Sequence, residues 1–188
     1  MKRLKFLGLG ILFTGFISCG GGIDNQPATA EGFGEIEKEL ATKFGADAYY
    51  TDLNILYVDQ VGNTIAATVT SDPESLEMGE WTYSNGAWTQ SADVTLEIPE
   101  GTKAADFMFQ LGGEISLSKL GGLVEKSKKM LTEEKDVPNP KLSIASINFP
   151  DNGDMAEAKY WVKLEPENGG TSFSFYYDLK GEFISMDY

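Results

Sequence analysis

The sequence contains no histidine and a single cysteine. Ser-His-Asp and Cys-His nucleophile arrangements both need an imidazole base, so neither can be assembled from this chain. Zinc sites built from histidine and cysteine fall with them, and one cysteine cannot close a disulfide within the chain. The sequence also lacks a Gly-rich phosphate loop ending in Lys-Ser/Thr and a dinucleotide-binding glycine fingerprint. It therefore implies no cofactor, no metal ligands and no catalytic residue, and no enzymatic activity is expected. Positive charge is scarce as well: 15 Lys and Arg stand against 29 Asp and Glu, for a net charge of −14. Nucleic-acid binding draws on clustered Lys and Arg that displace counterions from phosphate, so no nucleic-acid partner is expected. Attraction to anionic lipid headgroups is disfavoured on the same ground. Acidity of this kind serves solubility through self-repulsion.

No hydrophobic run is long enough to cross a bilayer as a helix, which takes about 20 apolar residues. The longest runs from Phe6 to Ile17, after Lys2, Arg3 and Lys5. A positive start followed by a short apolar core predicts a signal peptide over residues 1–18. The run closes in Phe16-Ile17-Ser18-Cys19, then three glycines. That close resembles the lipobox of bacterial lipoprotein precursors. The resemblance implies cleavage before Cys19 and acylation of Cys19, by palmitate-type chains, so that a membrane becomes the first partner. A lone free thiol would be a liability in an oxidising compartment, and acylation removes it. Gly20 stands where an inner-membrane retention signal would place Asp. By likeness to lipoprotein sorting in Gram-negative bacteria, that implies the outer membrane, facing the periplasm. Residues 19–30, rich in Gly, Pro and Ala, are expected to form a flexible tether.

Beyond the tether the hydrophobic period changes twice. Phe33, Ile36, Leu40 and Phe44 fall three and four apart, predicting an amphipathic helix over residues 31–44 with Gly45 as its stop. Leu53, Ile55 and Tyr57, then Ile65, Ala67 and Val69, then Trp81 and Tyr83 alternate as strands with one buried face. Asn85-Gly86 predicts a two-residue hairpin turn, with Trp88, Val94, Leu96 and Ile98 continuing the sheet. Leu117, Leu120, Leu123, Val124, Met130 and Leu131 then mark a second helix over residues 116–131. Its Gly121-Gly122 pair costs about 1 kcal/mol per glycine relative to alanine, which predicts a close neighbour. Strands follow again at Leu142 to Phe149, Tyr160 to Leu164, Phe173 to Tyr177, and Phe183. The expected fold is α+β, a helix-plus-antiparallel-sheet unit given twice, over residues 31–100 and 101–188. The period of about 90 residues and the similar final hairpins favour an internal duplication.

One stretch, Phe175-Tyr176-Tyr177-Asp178-Leu179-Lys180-Gly181-Glu182-Phe183, resembles the aromatic-Asp-x-x-Gly-x-hydrophobic close of PepSY-like repeats in lipoproteins of the Bacteroides type. A helix followed by a strand meander, given twice, is also similar to the architecture of the beta-lactamase inhibitor protein. In the first unit Ser84 takes the place of the Asp, and the turn is one residue shorter. The resemblance implies a domain that binds or inhibits another protein of the envelope.

Three local features bear on function. Asp151-Asn152-Gly153-Asp154 offers hard oxygen ligands of the type calcium uses, but Pro-Asp-Asn-Gly is also ordinary turn chemistry, and the turn is the expectation. A pair of carboxylates for glycoside hydrolysis cannot be singled out among 29 acidic residues. Aromatic placement is more specific. Trp161 alternates out of phase with Tyr160, Val162 and Leu164, and Tyr176 out of phase with Phe175 and Tyr177. The two are therefore expected on one outward sheet surface, as partner-binding residues; Trp81 is expected in the core. The expected function is a lipid-anchored, non-catalytic envelope protein that binds another protein through its sheet. The alternative is a glycan or small-ligand binder that stacks its ligand on the same aromatics.

Overall fold

The computed structural model describes residues 22–188; the expected signal peptide and Cys19 lie outside the described residues. Among the described residues the fold is α+β, with two α-helices and nine antiparallel strands in one open sheet. Helix α1 (Ala30–Phe44) precedes β1 (Tyr49–Val58), β2 (Gly62–Thr70), β3 (Glu77–Ser84) and β4 (Ala87–Thr95). A two-residue strand, β5 (Phe109–Gln110), leads to helix α2 (Leu117–Glu134). The chain closes with β6 (Lys141–Asn148), β7 (Lys159–Glu165), β8 (Phe173–Asp178) and β9 (Phe183–Asp187). The sheet order is β4-β3-β2-β1-β6-β7-β8-β9, with β5 against one end of β1. The two meanders are thus joined through their first strands, and Asn54 of β1 lies opposite Ser146 of β6.

Both helices cover one face of this sheet. Each begins with a hydroxyl cap: Thr29 accepts the Gly32 N–H, and Ser116 the Lys119 N–H. Each helix also caps the other. Glu125 of α2 accepts the N–H of Ala30 at 3.0 Å, and Glu37 of α1 accepts the N–H of Leu117 at 2.6 Å. A carboxylate at a helix start satisfies an orphan donor and meets the positive end of the dipole. The close neighbour of Gly121 is the start of α1, since a Cβ there would overlap the Thr29 carbonyl. Beneath the helices one core holds Phe33, Ile36, Leu40, Leu120, Leu123 and Val124 against Leu53, Ile55, Ile65, Tyr160, Val162, Phe175 and Tyr177. Trp81 is half-buried and packs on that core through Phe44, ring centroids 5.5 Å apart.

The structure departs from simple alternation at several points, with four register shifts in the sheet. Register shifts between Tyr50 and Asp52, and between Leu142 and Ile144, insert one extra residue in each first strand. A bulge reverses the facing of everything beyond it. Leu142 and Ala145 both point to the helices, so Ile144 lies on the opposite face from Ile147. Leu96 and Ile98 do not continue β4. They pack with Met78, Ala104 and Met108 in a second, small cluster behind the sheet, as the chain crosses from β4 back to β5. The span expected to be a free tether is, from Ile23 onward, tied down. Ile23 is buried, and the Asn63 amide donates to the carbonyls of Ile23 at 3.0 Å and Gln26 at 2.7 Å. The amide N–H groups of an inward-facing Asn in an otherwise apolar strand face need such partners, and the N-terminal backbone supplies them.

Candidate functional site

Strands β7 and β8 carry their inward and outward residues strictly in turn. Tyr160 and Tyr177 are held under α2, where the Tyr160 hydroxyl accepts the Ser116 N–H at 2.9 Å. The Tyr177 and Ser127 hydroxyls lie 2.7 Å apart. Burial pushes both phenols above their ordinary pKa. With those side chains committed to the core, Trp161 and Tyr176 take the face away from the helices.

On that face the register builds a row across four strands. Ser146 pairs with Trp161, Trp161 with Tyr176, and Tyr176 with Ser185. Lys163 opposite Ser174 borders the row on one side, and Lys159 opposite Asp178 on the other. Trp161 and Tyr176 are half-buried rather than fully exposed. The Trp161 indole N–H is buried and, like the Asn63 side-chain oxygen, has no hydrogen-bond partner among the described residues. An unsatisfied buried donor costs about 1–3 kcal/mol, so one that persists in a folded chain calls for an explanation. The row on the first meander reads differently: Ala66 pairs with Thr82, and Thr82 with Thr89. The aromatic pair therefore belongs to one half of the sheet.

Other features carry less chemistry. A cleft of about 540 Å³ beside the end of α1 is lined by Lys43, Phe44, Trp81 and Gln90, with Lys43 Nζ 4.5 Å from the Trp81 ring. Among the described residues, Trp161 and Tyr176 line neither this cleft nor four other clefts around the fold. In the Asp151–Asp154 loop the oxygens serve the turn: Asn152 accepts the Asp154 N–H, and Asp154 accepts the Ala156 N–H. Among the described residues no three Asp, Glu, His or Cys side chains are grouped to hold a metal. Arg3 is the chain's one arginine, so the described residues carry positive charge on lysine alone. Their three ion pairs are exposed and add little to stability. No described helix is long and apolar enough to cross a membrane.

Of the residues expected to carry function, Trp161 and Tyr176 come together as direct cross-strand neighbours. Cys19 lies outside the described residues. Sequence reasoning missed the exchange of caps between Glu37 and Glu125, since i,i+4 periodicity carries no information about a carboxylate that reaches another helix. Neither protein-family models nor curated proteins match this chain.

Proposed function

We propose that this chain is a lipid-anchored, non-catalytic protein of the bacterial envelope that binds another protein on the helix-free face of its sheet, in the manner of an inhibitor. The observation that carries this reading is the Trp161–Tyr176 pair, adjacent in register and with an indole N–H that lacks a partner. Paired aromatics give large contact area at small entropy cost and are enriched where proteins bind tightly. Protein is favoured over a glycan or small ligand because the pair lies on the sheet surface outside the clefts described above, whereas small ligands are held in concave sites. The signal peptide, acylation at Cys19 and placement on the periplasmic side of the outer membrane belong to the same proposal.

We further infer an internal duplication of PepSY-like units. Support comes from matched details in the two halves. Each helix has a hydroxyl cap and glycine at its fifth residue, Gly34 and Gly121. Each first strand carries one bulge. Each last hairpin sets a Tyr edge-on to an aromatic, Tyr83 to Trp88 and Tyr177 to Phe183.

The test is a photo-crosslinking residue placed at Tyr176 in the acylated chain in living cells. A discrete protein adduct is expected, lost on Trp161→Ala while the thermal midpoint stays near wild type. No adduct at position 176, or an adduct indifferent to Trp161→Ala, would sink the proposal. Quenching of tryptophan fluorescence by a saccharide would replace it with the glycan reading.

A further inference from the structure

We propose that the end of the sheet formed by the β1–β2 turn rests on the bilayer that holds the anchor, with Tyr57 and Val58 in the headgroup region of a zwitterionic lipid surface. This inference rests on acylation of Cys19. Two residues, Gly20 and Gly21, separate Cys19 from Gly22 along the chain, and three residue steps span at most about 11 Å. The next residue is held in place. Ile23 is buried, its carbonyl is held by the Asn63 amide, and the Asp24 carbonyl packs on Gly62 so closely that a Cβ would not fit. The anchor is therefore fastened, through a very short stretch, to the first residues of β2.

At this same end Val58 pairs with Gly62 and Tyr57 with Asn63. Tyr57 and Val58 are 43% and 42% exposed, among the few large apolar side chains left in solvent. Tyr188, 76% exposed, follows β9 at the same end of the antiparallel sheet. Tyrosine is a residue of membrane interfaces, its ring in the apolar layer and its hydroxyl in water. The charges here are mixed. Lys141 lies 3.9 Å from Asp59, Lys128 shares a cleft with Tyr57, and Lys135 Nζ lies 5.5 Å from the Tyr188 ring, while Glu165, Glu167 after β7, and Asp187 lie toward the far edge of this end. Anionic lipid gains nothing from that set, so the contact is aromatic and aliphatic and its lipid is zwitterionic. Docked in this way, the sheet stands upright on the membrane. Trp161, four residues from the end of β7 at Glu165, is raised about 13 Å at the usual strand rise.

The experiment uses the acylated full chain in phosphatidylcholine vesicles that contain brominated lipid. Acylation consumes Cys19, so Val58→Cys and Met155→Cys can each be labelled singly with a fluorophore. Met155 is 39% exposed and lies in the β6–β7 connection, at the opposite end of the sheet. Quenching at position 58 should exceed that at position 155 several-fold. Equal quenching at the two positions, on protein whose acyl mass at Cys19 is verified by mass spectrometry, would overturn the orientation alone. A Cys19 without acyl mass would instead remove the anchoring reading and this inference with it. Quenching at position 58 that appears only when phosphatidylglycerol is added would overturn the zwitterionic contact.

Discussion

Tyr50 shows how a single side chain registers the burial around it. Its ring is 2% exposed and stacks on Phe109 with centroids 5.8 Å apart. Burial, and after it the negative charge of Glu37, push its hydroxyl up to about 12. A phenol is neutral when protonated, so the folded chain holds this proton more tightly than the unfolded chain, where Tyr ionises near about 10. The stability it protects is complete below about pH 10 and is lost as pH rises to about 12, because the unfolded chain ionises first. Across that window Tyr50→Phe should flatten the fall in stability by about 1.4 kcal/mol per pH unit, read from urea midpoints. A slope unchanged from wild type would contradict the assignment. Tyr50 was not legible as core in the sequence. Strict alternation backward from Leu53 puts Thr51 inward, and only the bulge between Tyr50 and Asp52 brings Tyr50 to the helix side.

At the scale of elements, the two helices meet through small residues. Gly121 lies against the Thr29 carbonyl and the Ala30 N–H, whereas a Cβ on Gly122 would sit 3.8 Å from the Ala30 side chain, at ordinary contact distance. The two adjacent glycines should therefore respond oppositely to alanine. Gly122→Ala gains helix propensity and should stabilise by up to about 1 kcal/mol. Gly121→Ala gains the same propensity but forces backbone apart at the helix crossing. Overpacking of 1–3 kcal/mol should leave it destabilised by about 1–2 kcal/mol. Chemical denaturation of the two single variants separates these outcomes, and a stabilised Gly121→Ala would refute the close approach. Periodicity predicts both helices to within a few residues, and the cost of the glycine pair predicts a close neighbour. It does not say which of the two glycines bears the contact, because that depends on the crossing and not on the helix itself.

At the scale of the whole molecule, the central seam is the pairing of β1 with β6, Leu53 opposite Ile147 and Ile55 opposite Ala145. These four side chains are each at most 4% exposed, and α1 and α2 lock together above the seam through Glu37 and Glu125. Separation at residue 100 would bare a strand edge and a helix flank on each half. Fragments 22–100 and 101–188 are therefore expected to lack fixed tertiary structure alone and to recover it on mixing, as followed by near-UV circular dichroism. A fragment that gave a native-like spectrum alone would show that the halves are independent domains.

Sequence alone determined where helices and hairpins form and, between bulges, which residues of each face inward. The alternation that commits Tyr160 and Tyr177 to the core also sends Trp161 and Tyr176 to the other side. Tertiary structure decided the rest: that the two first strands pair, that residues 23–29 latch onto β2 through Asn63, and that the segment after β4 runs behind the sheet over Met78. The physical reason is that periodicity records how much of each element is buried along its own axis. It does not record which other element supplies the covering surface, and that is settled only when the layers pack.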